Sequence, residues 1–199
     1  VGKMFSAKMI ELALANYPGF FIGGAVRSGG PVLVYWPALI DSKHISETVH
    51  FDGKEATILP TNQLGLEETY YQKQPIDIQP APSDPSIKMP LGELFGARSG
   101  DKGGCANIGV WAKTENAYSF LNECLTVKKI KELMPDLAEF QIDRYELPNI
   151  LSLNFYIHGI LEDGVSSNTR KDGQAKSLGE YLRAKYIEIP KSLIKEKEA

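Results

Sequence analysis

An α+β fold, with an antiparallel sheet and helices on one of its faces, is what the second half of this 199-residue sequence predicts. Three observations carry that expectation. Between residues 90 and 190 the apolar pattern changes period repeatedly, reading strand, helix, strand, strand, helix, strand. Leu151, Leu153, Phe155 and Ile157 alternate with Ser152, Asn154, Tyr156 and His158, as in a strand with one buried and one open face. Finally, Pro60, Pro75, Pro80, Pro82, Pro85 and Pro90 crowd the preceding stretch, where missing backbone donors keep a chain extended.

The elements follow in order. Residues 6–17 place Met9, Ile10, Ala13, Leu14 and Tyr17 on one helical face, with Ser6 as N-cap and Pro18-Gly19 as the stop. After punctuation by Gly23, Gly24, Gly29 and Gly30, the apolar run Val32–Trp36 predicts a strand. Asp52-Gly53 predicts a hairpin between strands near His50-Phe51 and Ala56–Leu59. This partial α/β segment, residues 1–60, is too small to close a core and reads as the end of a larger domain. Beginning at Val1, the chain is expected to be processed or cut from something longer. Residues 61–89 read as a Pro-rich linker, extended over 72–89. A folding unit follows over 90–190 and a charged tail over 191–199.

Within that unit, Leu91–Ala97 reads as a strand, then a Gly-rich loop, then Ala106–Lys113 as its partner. Helices are expected over 115–125 and 127–134. Gln141–Leu147 and Leu151–His158 form a hairpin through Pro148-Asn149, a helix covers 175–185, and a last strand, Tyr186–Ile189, stops at Pro190. That order is a ferredoxin-like split βαβ, whose second sheet face is left open to a ligand, a partner or another domain.

Composition narrows the function classes. With 43% apolar and 24% charged residues the chain is an ordinary globular one, and its net charge is −3. Residues 1–89 hold 7 basic and 9 acidic groups and residues 90–199 hold 15 and 16, so neither half supports phosphate-driven nucleic-acid binding. An RNA-binding sheet is disfavoured further by the lack of stacking aromatics on the central strands. No apolar run approaches the roughly 20 residues that span a bilayer. Two cysteines, Cys105 and Cys124, cannot staple a chain of this length, which points to a reducing, cytoplasmic setting.

The densest chemistry lies in Gly96–Gly109. Glycines let amides converge on an anion, Arg98 and Lys102 add charge, and Ser99 adds a hydroxyl. Arg98, Ser99, Gly100, Lys102, Gly103 and Asn107 are therefore candidate ligand residues, with Arg170 and Lys176 at the start of a helix as additions. The competing reading is a structural turn in which Asp101 pairs with Arg98 or Lys102. Asn154 and His158 share a strand face, and histidine is the side chain most often used for proton transfer. With Asp101 they form the catalytic candidates. Asp172 reads as a cap. The spacing of His44 and His50 matches no common metal motif, so no metal or other cofactor is expected.

The stretch Leu91–Gly103, Asn107-Ile108-Gly109, Arg144–Pro148, Leu153-Asn154-Phe155 with His158-Gly159, and the set Arg170, Asp172, Gly173 and Lys176 together resemble the acyclic terpene utilisation A (AtuA-like) family. The resemblance spans about residues 90–190, that family's C-terminal ferredoxin-fold domain. Tyr17-Pro18-Gly19 and Tyr35-Trp36-Pro37-Ala38 look like the end of its N-terminal domain. It implies a part or subunit of a protein of acyclic terpene catabolism, which proceeds through branched acyl-CoA esters. Such an ester would bring its phosphates to the Arg98–Gly104 loop, in hydratase or carbon–carbon lyase chemistry. The alternative is an assembly module docking the rest of the protein, a sister subunit or a second copy through its open sheet face.

Overall fold

The computed structural model describes residues 2–15, 18, 30–31, 33–34, 36–58 and 80–198. The expected linker over 61–79 and the glycines at 23, 24 and 29 lie outside them. Two compact units are present, residues 36–77 and residues 1–35 with 78–199.

In the smaller unit, β1 (Glu47–Phe51) pairs antiparallel with β2 (Lys54–Ile58). Asp52 and Gly53 both take positive φ, 49° and 69°, the geometry that a two-residue Asp-Gly hairpin turn demands. The predicted hairpin is thus present. Of the predicted strand at 32–36, Leu33, Val34 and Trp36 are exposed and in no strand, while Val32 and Tyr35 lie outside the described residues.

In the larger unit, α1 (Lys3–Leu14) begins one turn earlier than Ser6 predicts and buries no residue. Its apolar stripe remains open, with Met9, Ile10 and Leu14 exposed.

The remainder is built on a four-stranded antiparallel sheet. Its strands are β4 (Gly96–Lys102), β5 (Cys105–Trp111), β6 (Ile142–Leu147) and β7 (Ser152–Ile157), in the order β4-β5-β7-β6. Between β5 and β6 run α2 (Glu115–Cys124) and α3 (Val127–Leu133). Thr114 and Thr126 start these helices by accepting hydrogen bonds from the amides of Ala117 and Lys129. The chain crosses through α2 and α3 to β6 and returns through β7 into the place between, which is the split βαβ expected. α4 (Leu178–Arg183) packs on β4, shorter than predicted because Asp172 pins the chain ahead of it.

One expectation is corrected here. The final strand, β8 (Tyr186–Pro190), does not join the main sheet but pairs with β3 (Ser86–Pro90) in a separate two-stranded sheet. The edge beside β5 that a closing strand would take is already occupied by β4, its hairpin partner. Residues 86–89, assigned to the linker from prolines, are therefore part of the folded unit. The charged tail is likewise a helix, α5 (Lys191–Glu198). Ser192 donates from its amide and hydroxyl to Asp84, and these bonds hold that carboxyl below its ordinary range.

The core lies on one sheet face. Ala106, Ile108 and Val110 of β5 and Leu153, Phe155 and Ile157 of β7 are buried with Ala117, Leu121, Ile130 and Leu182 of the helices. Arg144 of β6 reaches the same side and locks the α2–α3 junction. Its Nε donates to the Leu125 carbonyl and Nη2 to the Asn122 carbonyl, while Nη1 pairs with Glu146 at 2.7 Å. A guanidinium thus satisfies carbonyls that the end of α2 leaves without helical partners.

Candidate functional site

The ladder fixes which residues share the sheet's other face, because residues paired across strands point the same way. Three rows result. Gly100, Asn107, Tyr156 and Asp143 form the first. Arg98, Gly109, Asn154 and Tyr145 form the second. Gly96, Trp111, Ser152 and Leu147 form the third.

This geometry corrects the Gly-rich loop. Leu91–Glu93 is a short 3₁₀ turn, and residues 96–102 are themselves the strand, so their backbone lies in the β4–β5 ladder rather than converging on a guest. Only Gly103 and Gly104 turn. Gly103 has φ of 63°, and a Cβ on Gly104 would come within 2.1 Å of the Glu162 carbonyl oxygen. Alternation then splits the expected cluster. Arg98 and Lys102 lie on the open face and Ser99 on the covered one, where its hydroxyl accepts from the Gly179 amide at 2.8 Å. Lys102 folds onto the Asp101 carbonyl. Asp101 pairs with neither Arg98 nor Lys102 but faces Lys176 at 3.9 Å. Gly100 belongs to that contact too, since a Cβ there would meet Lys176 Nζ at 3.1 Å.

The segment 162–177 orders itself. Asn168 bridges the carbonyls of Gly164 and Gly173 and accepts from the Arg170 amide. Asp172 accepts from the amides of Lys176 and Ser177 and from the Ser177 hydroxyl. Burial works against its charge, yet these bonds together hold its carboxyl below the ordinary range. It is the cap its sequence context predicts. Arg170 borders an open cleft of this segment, away from the sheet's open face, whereas Lys176 reaches round β4's edge and brings its ammonium over Gly100 on that face.

Two predicted residues gain partners that sequence did not reveal. Asn154 accepts from Asn107 Nδ2 at 2.8 Å, joining β7 to β5. His158 Nε2 meets Asp143 Oδ2 at 2.7 Å, and the bond, with a second from Gln141, holds the Asp143 carboxyl below its ordinary range. A carboxylate only accepts, so Nε2 carries the proton and Nδ1 is the basic nitrogen of the neutral ring. Tyr156 packs edge-on against that ring with centroids 4.9 Å apart. Asp143 shows no chemical pattern in the sequence. Its place follows only from the β6–β7 register.

Between Arg98 and Asn154 the middle position of the second row is Gly109. Among the described residues, a Cβ there would meet nothing nearer than the Arg98 carbonyl oxygen at 3.8 Å, so the strand has room for a side chain at this point and carries none. The result is a notch two strand spacings wide, roughly 9–10 Å between the Arg98 and Asn154 backbones. Arg98 is exposed and its guanidinium makes no hydrogen bond or ion pair among the described residues.

A family model, the AtuA ferredoxin-like domain, matches residues 89–188, half of the sequence. The chain belongs to the AtuA-like family. No curated protein and no solved structure matches it. Within this AtuA ferredoxin-like domain the resemblance motifs divide by role. Arg144 and Asp172 hold the scaffold, whereas Arg98, Asn107, Asn154 and His158 come from separate stretches and share the open face.

Proposed function

We propose that the open sheet face of this AtuA ferredoxin-like domain binds an anionic small molecule, with the anion seated over Gly109. Arg98 supplies the charge from one wall of the notch, and the Asn107–Asn154 amide pair supplies donors from the other. The notch over Gly109, flanked by an unpaired guanidinium, is the observation that carries the reading. Family membership supports a branched acyl-CoA ester or the matching carboxylate, as acyclic terpene catabolism requires. The site is then the face formed by β4, β5 and β7 rather than a loop. His158, held by Asp143, lies on the same face but four residues along the strand from Asn154, roughly 13 Å from the anion seat and on the side away from Trp111, so it stands outside that seat. Calorimetry with CoA, branched acyl-CoA esters and free carboxylates tests the assignment. Binding that weakens at least about tenfold in Arg98→Ala agrees with it, and binding unchanged by that substitution contradicts it.

A second reading, docking of another domain or subunit, is favoured by one end of the face. There Trp111, Tyr145, Leu147 and the neighbouring Ile150 are all exposed. Light scattering separates the two, because a monomer at working concentrations that still binds the anion leaves docking without support.

A further inference from the structure

Beyond the third row of the face lies a cleft of about 420 Å³, within the usual range for small-molecule sites. Trp111 belongs to both. It follows Gly109 by two residues on β5, so its side chain leaves the same face about 7 Å along the strand. A Cβ on Gly96 would fall 2.2 Å from the indole ring, and the missing side chain there lets the ring close over β4 and form a wall of the cleft. Phe95, Ala117 and Leu193 add apolar wall. The charges around it are largely spent on one another: Lys197 pairs with Glu93 at 3.5 Å, and Arg183 Nη1 pairs with Glu180 at 3.0 Å. Arg183 Nε, buried and without a hydrogen-bond partner, remains a donor at the wall.

We propose that this cleft is the subsite for the apolar body of the anionic ligand, an acyl chain running from the Gly109 notch past Trp111. The proposal rests on the reading of the sheet face given above and adds the part of the ligand that the polar rows cannot hold. The indole supplies a rigid apolar surface, and a carbonyl oxygen on the chain would satisfy the unpaired Arg183 donor. The cleft thereby selects a ligand with a compact hydrocarbon portion over the bare anion.

The experiment uses the full chain carrying Trp36→Phe, so that Trp111 is its one tryptophan, titrated with CoA, octanoyl-CoA and octanoate. Octanoyl-CoA should shift Trp111 emission and bind at least about tenfold tighter than CoA, the increment expected for burying a few methylenes. Trp111→Ala, followed by calorimetry, should erase that increment and leave CoA binding intact. Equal affinity for CoA and octanoyl-CoA, with Trp111 emission unmoved, would overturn the cleft while the sheet-face reading stands. Octanoate that shifts Trp111 equally in the parent and in Arg98→Ala, with neither CoA nor octanoyl-CoA bound, would overturn the sheet-face reading and keep the cleft.

Discussion

The same four strands present two surfaces built on different rules. On the covered face of β7, Leu153, Phe155 and Ile157 are fully buried under α2, α3 and α4. On the open face of that strand, Ser152, Asn154 and Tyr156 are half-buried and polar. Folding energy is concentrated on the first surface, because apolar area removed from water dominates stability. The second is free to hold residues that folding does not require. Arg98, Asn107 and Asn154 are such residues, which is why they are informative about function, whereas a buried leucine is informative only about packing.

The contrast can be broken by substitution. Phe155→Ala should destabilise the domain by about 3–5 kcal/mol in denaturant unfolding, while Asn154→Ala one residue away should cost about 1 kcal/mol or less. Equal costs would show that the open face is part of the core. Arg144→Met comes next, at about 2–3 kcal/mol, since it removes four hydrogen bonds, to the Leu125 and Asn122 carbonyls and to the Asn122 and Glu146 side chains. A neutral result would mean that water replaces the guanidinium there.

The smallest effect is on acid stability. The folded Asp143 carboxyl lies below its ordinary value of 3.8. Its contribution is therefore complete above that value and is lost as pH falls through the folded one. Asp143→Asn should make unfolding less steep in that acid window and leave the ranking of variants near neutrality set by the core. An unaltered acid transition would show that the His158 contact carries no linkage.

How much of this was legible beforehand depended on whether the signal was local. Alternation along residues 151–158 marked β7 and its two faces, and Asp52-Gly53 marked the hairpin, because both patterns are fixed by neighbouring residues. The fate of 96–104 was not legible. Four glycines suggest a loop, yet tertiary pairing with β5 makes most of the stretch a strand and sends Ser99 and Arg98 to opposite sides. Residues 86–89, which the surrounding prolines make read as linker, likewise form a strand with Pro90 because β8 offers a partner. Asn154 and His158 were visible as candidates, but their partners Asn107 and Asp143 were fixed by cross-strand register, which no local pattern encodes. In the sequence Gly109 is only the last glycine of a Gly-rich stretch. Its importance as a gap appeared only once Arg98 and Asn154 stood on either side.

The most direct measurement fills that gap. Gly109→Val places a β-branched side chain where the strand has room for one, with a nearest contact of 3.8 Å, and suits strand geometry. Amide-resolved NMR titration with an acyl-CoA ester should give perturbations along β4, β5 and β7 at Arg98, Asn107 and Asn154 in the parent chain and none in the folded valine variant. Undiminished perturbations in the variant would contradict an anion seat over Gly109.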